Sequence, residues 1–190
     1  EEFDRLGLIG RLDLDTRNDE GFPADGRRIT VEASVVPELL GVVDRFGGLA
    51  GTWTEYMGFD SPLDPVLHLR VQGETTWGRL PFFERPYLGG SASLPGFTPR
   101  RFIGSSTASV TGLLRMKMFD IDFLTNLALG IHGVSTTGRV WYDGERSSQW
   151  HAGSGGGLWV RIPTIERVVS VTAVRGDIST RVYIDFGMLF

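Results

Sequence analysis

Hydrophobic and polar residues alternate one by one along most of this chain, which is the pattern of β-strands with two different faces. In the clearest segment, Leu67, Leu69 and Val71 alternate with His68 and Arg70. Segments with this pattern cover 6–15, 29–35, 46–59, 67–75, 110–118, 127–141, 153–162, 167–175 and 180–190. The alternation therefore predicts an all-β fold with about nine antiparallel strands.

The length of these segments and the charges within them favour a sheet that spans a membrane. Most segments have about ten residues, enough for a tilted strand to cross a bilayer, whereas strands of soluble proteins usually have about five or six. Full charges lie deep within the polar faces at Arg70, Glu74, Arg115 and Lys117. Aromatic residues gather near the segment ends, as in the interfacial girdles of membrane barrels: Trp53, Tyr56, Phe59, Trp77, Phe82, Phe83, Trp141, Tyr142 and Trp150. The pattern favours an antiparallel transmembrane β-barrel over a soluble β-sandwich, which would alternate as well.

Composition narrows the classes of function. The 190 residues form one domain or part of one, with a formal charge of −4. A nucleic-acid partner is not expected, because its binding surface should be basic. The chain has no cysteine and therefore no thiolate metal site. No apolar run is long enough for a transmembrane helix, which excludes a helical membrane protein only.

A long segment rich in glycine, proline and serine separates two of the alternating segments. It covers 86–104 and is longer than a usual hairpin loop, which marks it as functional or disordered. The pair Gly89 and Gly90 and the later Gly96 favour tight turns. A disordered loop would seldom carry three aromatic residues, and this one has Tyr87, Phe97 and Phe102. We therefore expect an ordered loop that folds on itself and packs against the protein.

The end of the sequence has an unbroken apolar alternation. Its members are Val182, Ile184, Phe186, Met188 and Phe190. This end resembles the C-terminal targeting strand of bacterial outer-membrane proteins, which finishes on phenylalanine. The alternative is an ordinary last strand that happens to stop there.

An ordered set of motifs supports a family resemblance. The pieces are LDTRNDEGFPADG at 14–26, GRLPFFERPYLGGSASLPGF at 78–97, RRFIG at 100–104, GRVWYDG at 138–144, and the terminal Phe190. With these pieces the chain resembles the C-terminal barrel part of the outer-membrane-assembly barrel superfamily, the BamA/TamA-like bacterial surface antigens.

The resemblance implies a C-terminal barrel portion over 1–190, located in the bacterial outer membrane, with the loop 86–104 folded into the barrel lumen. It also implies a role in the assembly or translocation of other outer-membrane proteins. The lumen-loop motif would consist of Gly89, Gly90, Pro95, Gly96, Phe97, Arg100 and Arg101. The strand that receives the loop would present Thr136 and Gly138.

Two positions depart from the pattern of that family. Pro95 stands where the loop usually has arginine, and Thr136 stands where the receiving strand has its acidic partner. Losing both partners together is physically consistent, because a buried charge without its partner costs several kcal/mol. We therefore expect Phe97, hydrogen bonds and one of Arg100 and Arg101 to hold the loop. The departure also favours an alternative, a degenerate relative that serves as a membrane anchor or structural subunit.

No constellation of residues indicates an enzyme, a cofactor or a metal site. His68, His132 and His151 are scattered, and the glycine-rich run at 153–157 lacks the lysine of a phosphate-binding loop. Single-chain barrels of the outer membrane have even strand numbers. The expected partners are therefore the lipid bilayer, further strands from the rest of the chain or from other subunits, and other outer-membrane or periplasmic proteins. A third hypothesis from another class is a soluble β-protein that binds a ligand inside a barrel.

Overall fold

The computed structural model describes residues 6–37, 45–123, 125–142, 149–162 and 167–188. The strands are β1 (Leu8–Asp15), β2 (Gly26–Val36), β3 (Phe46–Gly58), β4 (Val66–Gly78), β5 (Tyr87–Leu88), β6 (Phe102–Ile103), β7 (Ser106–Phe123), β8 (Thr125–Trp141), β9 (His151–Ile162), β10 (Arg167–Arg175) and β11 (Thr180–Asp185). Nine of them form one antiparallel sheet in the order β1-β2-β3-β4-β7-β8-β9-β10-β11. The short β5 and β6 pair with each other inside the long loop.

The all-β architecture and the nine antiparallel strands predicted from the alternation are confirmed. Each strand of the sheet pairs with its neighbours in sequence, as in a meander. Within the described residues the sheet does not close on itself, and β1 and β11 form its edges. Among the described residues, no helix is long and apolar enough to cross a membrane.

The two faces of the sheet reverse the usual arrangement of a soluble protein. We call the face that carries His68, Arg115 and Thr136 the inner face; these residues are only 1%, 3% and 3% exposed, respectively. The opposite, outer face exposes apolar side chains such as Val71 and Leu114. Soluble proteins bury apolar groups and leave charges in water. Buried polar groups beneath an exposed apolar surface are the arrangement of a transmembrane barrel.

A small apolar layer interrupts the polar inner face. Leu113 of β7 pairs in register with Val134 of β8, and both pack with Val174 of β10. Tyr183 and Met188 cover this cluster from the end of the chain. The layer therefore ties the last strand to the middle of the sheet.

The last strand is shorter than the alternation predicted. It ends at Asp185, and Gly187 has a φ of 138°, which ends the extended conformation. Val182 and Phe186 are exposed on the outer face, as expected, and so is Ile184. Met188 instead packs against the inner apolar cluster, while Phe190 lies outside the described residues.

One member of the predicted aromatic girdle lies elsewhere. Tyr56 is buried on the inner face, where its ring makes an edge contact with His68 at 4.7 Å between centroids. Its position in β3 falls on the polar side of the alternation, and this parity decides the face.

Candidate functional site

The loop between β4 and β7 is a compact structure with its own hydrogen bonds. It begins with a 3-10 helix (Phe82–Glu84) and continues into the two-stranded β5–β6 ladder. At its base, the Gly104 amide donates to the Pro86 carbonyl at 3.0 Å. The prediction of an ordered loop in this part of the chain agrees with these contacts.

The tip of the loop turns tightly around Ser93. The Gly89 amide donates to Ser93 Oγ at 2.9 Å, and Ser93 Oγ donates back to the Gly89 carbonyl at 3.0 Å. The Gly90 amide donates to the Phe97 carbonyl at 3.1 Å. Gly89 has a φ of 128°, and a Cβ there would overlap the Thr98 carbonyl, so the turn requires glycine.

An apolar cluster fixes the tip from within. Leu88, Leu94 and Phe97 are at most 3% exposed and pack together with Phe102 of the loop and Val140 of β8. The ring centroids of Phe97 and Phe102 are 5.4 Å apart in an edge contact. The cluster therefore joins the loop to the sheet through side-chain packing.

Glycines on the inner face let the loop approach the strands. A Cβ on Gly138 of β8 would lie 3.0 Å from a methyl carbon of Leu88 and of Leu94. A Cβ on Gly153 of β9 would lie 2.7 Å from the Pro95 carbonyl oxygen. Any side chain at Gly153 would push the loop away, because contacts below 3.0 Å between such atoms do not occur.

Hydrogen bonds attach the tip to strands on both sides. The Gly96 amide donates to Tyr183 Oη of β11 at 2.9 Å. Arg70 of β4 donates to the Ala92 carbonyl at 2.6 Å. The tip thus bridges part of the inner face from β4 to the last strand.

Thr136, expected to receive the loop, makes a neutral contact. Its Oγ1 lies 2.9 Å from Thr111 Oγ1 of β7. Its Cγ2 lies 3.3 Å from the position that a Cβ on Gly153 would occupy, next to the Pro95 carbonyl. Pro95 and Thr136 therefore meet around Gly153 without a charged group between them.

Arg100 and Arg101 differ from the expectation that one of them would help to hold the loop against the sheet. Both are exposed. The Arg100 guanidinium lies 5.0 Å from the centroid of the Tyr87 ring, and that of Arg101 lies 5.7 Å from the Phe102 ring. They cover the aromatic residues of their own loop, and the arginine that anchors the tip is Arg70 of β4 instead.

Sequence reasoning missed His151 as a loop contact. Its ring stacks on Phe102 at 3.8 Å between centroids, and its Nδ1 lies 3.1 Å from Asp177 Oδ2. Tyr183 was missed as well. The signal for Tyr183 is that it is an aromatic residue with a polar tip on the polar parity of β11.

A second segment reaches the inner face at the opposite end of the sheet. It is the β1–β2 turn, residues 16–25. Asn18 Oδ1 accepts from the amides of Ala24 and Asp25 at 2.9 and 3.1 Å. Asp19 Oδ1 accepts from the amides of Gly21 and Phe22 at 2.7 and 2.9 Å. The Phe22 amide is the largest of the influences that hold the pKa of Asp19 below its ordinary value.

Two arginines and a tryptophan of the sheet contact this turn. The centroids of the Phe22 ring and of the Trp159 ring of β9 are 5.1 Å apart. The Arg115 guanidinium of β7 lies 3.3 Å from the centroid of the Phe22 ring. Arg115 also donates to the Pro23 carbonyl at 2.7 Å. Arg161 of β9 forms an ion pair with Asp19 at 3.4 Å. We call Arg115, Trp159 and Arg161 the cradle.

The cradle was not foreseen from the sequence. The sequence identifies 14–26 only as a turn motif and Arg115 only as a residue of the polar face. In the sheet order, three strands lie between β1 and β7, and five lie between β1 and β9. The contacts therefore require the sheet to curl, which a local pattern does not specify.

The comparison with protein families agrees with the architecture. The family model described as Omp85 superfamily domain matches residues 1–190. A search among curated proteins found no match to the chain. Because the family model covers the whole chain, the chain belongs to the Omp85 superfamily, which confirms the BamA/TamA-like resemblance.

Proposed function

We propose that this Omp85 superfamily chain is the C-terminal part of an outer-membrane barrel that assembles or translocates other outer-membrane proteins. The superfamily is one of membrane-protein assembly and translocation, is characteristic of bacterial outer membranes, and consists generally of insertases and transporters rather than enzymes. The proposal assigns this general role to the present chain.

The observation that carries the proposal is the loop anchored across the inner face. Its tip contacts β4 through Arg70, β9 through Gly153 and β11 through Tyr183. In a closed barrel this face would line the lumen, so the loop 86–104 would lie inside it. We assign the anchoring to Gly89, Gly90, Pro95, Gly96 and Phe97, with Thr136 and Gly138 on the receiving strand.

The barrel is in contact with lipid, with further strands and with other proteins. The exposed apolar side chains of Val182, Ile184 and Phe186 support a last strand that faces lipid and serves in targeting, with Met188 and Phe190 completing its signal. Within the described residues, β1 and β11 are the edges of the sheet, and these edges require strands from the rest of the chain or from other subunits, because lipid cannot satisfy backbone groups. Other outer-membrane or periplasmic proteins are the proposed clients and partners.

A specific observation favours the alternative role of a membrane anchor or structural subunit without insertase activity. At the docking strand, Thr136 contacts Thr111 through neutral hydroxyl groups. Charge-assisted hydrogen bonds are roughly twice as strong as neutral ones. A loop that docks on this strand without them could serve structure alone, so an activity measurement has to separate the two roles.

The experiment uses the complete protein in lipid vesicles and measures the folding of an unfolded outer-membrane barrel client. Folding is followed by the heat-dependent migration of the client in gels. The assembly role predicts client folding at least several-fold faster than in empty vesicles. In the Gly153→Leu variant this acceleration should disappear, because the new side chain displaces the Pro95 carbonyl.

The matched control is Gly112→Leu, since a Cβ at Gly112 of β7 meets nothing within 4 Å. This variant should keep the acceleration of the unmodified protein. If the unmodified protein gives no acceleration, the anchor role is correct. If Gly153→Leu folds and accelerates normally, the docked loop is not part of the activity.

A further inference from the structure

The β1–β2 turn occupies the cradle in the manner of a bound peptide. Its Phe22 ring lies between the Arg115 guanidinium, at 3.3 Å from the centroid, and the Trp159 ring, at 5.1 Å. The Arg161 guanidinium lies 5.1 Å from the same centroid and pairs with the Asp19 carboxylate. The turn therefore offers one aromatic ring and one carboxylate three residues before it.

The cradle is also larger than its occupant. A cavity of about 560 Å³ adjoins the turn and is lined by Arg115, Trp159, Arg161 and Phe59, among others. This volume falls within the range of small-ligand pockets, which is about 300–1,000 Å³. The turn thus leaves room for additional groups next to it.

The buried Arg115 guanidinium has a donor that can bind a further group. The residue is 3% exposed, and its Nη2 donates to the Pro23 carbonyl. Its Nη1 has no hydrogen-bond partner among the residues that the structure describes. A buried donor left without a partner costs free energy, and a carboxylate or carbonyl oxygen would satisfy it.

The other charges around the cavity are already paired. Lys117 forms ion pairs with Asp64 at 2.9 Å and with Asp120 at 3.2 Å, and Arg161 pairs with Asp19. Arg115 is the cation that remains for an incoming group in this part of the described chain. With one available cation, the site matches a group that brings one additional oxygen ligand, and not a group with several negative charges.

We propose that the cradle is a binding site for peptide segments that carry an aromatic residue three positions after a carboxylate. The β1–β2 turn is its resident, autoinhibitory occupant, and an incoming segment of the same chemistry displaces it. This inference rests on the proposed function for the source of the segment, which is an unfolded client protein. The binding chemistry itself follows from the contacts of Phe22 and Asp19.

The test measures binding of a fluorescently labelled peptide with the sequence of residues 18–25, NDEGFPAD, to the complete protein in detergent micelles. Fluorescence anisotropy gives the dissociation constant. The Phe22→Ala variant removes the resident ring and should bind the peptide at least tenfold more tightly than the unmodified protein. A peptide with alanine in place of its phenylalanine should lose at least this tenfold gain.

Two further variants test the role of the carboxylate and the specificity of the gain. Arg161→Gln, combined with Phe22→Ala, should weaken binding of the peptide severalfold. In this double variant, a peptide with asparagine in place of the residue that corresponds to Asp19 should bind as well as the original peptide. Phe82→Ala, also combined with Phe22→Ala, is the control and should keep the affinity, because Phe82 is 73% exposed on the loop between β4 and β7. Equal binding of the peptide without phenylalanine, or no gain from Phe22→Ala, would overturn the proposal. Because no client assembly is measured, a failure here leaves the assembly role unaffected.

Discussion

Two in-turned segments cover the inner face of this sheet from opposite ends, and they are held by different forces. The loop between β4 and β7 is held by the buried cluster of Leu88, Leu94 and Phe97 and by uncharged hydrogen-bond acceptors. The β1–β2 turn is held by arginines that contact its ring, its carbonyl groups and its carboxylate. The comparison shows that a segment can be held on the inner face mainly by apolar packing, with Arg70 as the one arginine that we find on the loop tip among the described residues, or mainly by arginine contacts, as at the turn.

The two segments should therefore respond differently to salt and pH. Apolar packing depends little on salt or pH, whereas an ion pair such as Arg161–Asp19 is partly exposed and is screened by salt. The loop should therefore stay anchored over a wide range of conditions. The turn should be the end that responds, and four measurements test this contrast.

The largest effect is expected for Phe97→Ala. The substitution empties the centre of the loop cluster, and loss of a buried phenylalanine usually costs about 3–5 kcal/mol. The rate of protease cleavage within 86–104 in folded protein should rise by about 100-fold or more, as the free energy of local opening falls. Phe82→Ala is the control, because Phe82 is 73% exposed on the same loop. Similar cleavage rates in both variants would contradict anchoring by the cluster.

A smaller effect is expected for Phe22→Ala at the other end. The ring loses its contacts with Arg115 and Trp159, and a desolvated cation–π contact contributes about 2 kcal/mol. The measurement is the rate of protease cleavage within 16–25. Phe59→Ala removes an aromatic side chain from the same cavity, but one that is 53% exposed, and should leave this rate nearly unchanged. If cleavage rises equally in both variants, the contacts of Phe22 with Arg115 and Trp159 do not stabilise the turn.

Thr136→Val tests the neutral contact on the receiving strand. The change leaves Thr111 Oγ1 without its partner and should lower the free energy of unfolding by about 1 kcal/mol. Combining it with Thr111→Val should restore most of this loss, since removing both hydroxyl groups leaves neither unsatisfied. Urea unfolding in lipid vesicles measures both variants. Strictly additive losses would show that the two hydroxyl groups do not interact.

The smallest effect concerns pH at the turn. Native contacts hold the pKa of Asp19 below its ordinary value. The contribution of the Asp19 carboxylate to the stability of the turn is therefore complete above the unfolded-state pKa, about 3.9, and is lost as pH falls through the lower native pKa. Hydrogen exchange of the Gly21 and Phe22 amides, corrected for intrinsic rates, should therefore accelerate below about pH 4. Asp19→Asn should abolish this pH dependence. Loop amides near Gly90 should show no such step, because the segment 86–104 contains no carboxylate side chain.

The sequence by itself determined the strands and the identity of their faces. Alternation has a period of two, so a residue such as Leu69 or His68 is assigned to a face by parity alone. Thr136 and Gly138 are named as the loop-docking positions by the family resemblance, and not by parity. The turns of the loop were also predictable, because positions such as Gly89 need a backbone conformation that glycine adopts easily.

Only the tertiary structure decided which residues hold the two in-turned segments. The contact of Gly96 with Tyr183 spans 87 positions, and that of Arg115 with Pro23 spans 92. Such contacts depend on how strongly the sheet curls, which is a sum over many strand pairs. A pattern of neighbouring residues records the faces of each strand but not the distance across the sheet, so the cradle and the anchoring by Gly153 emerged only from the fold.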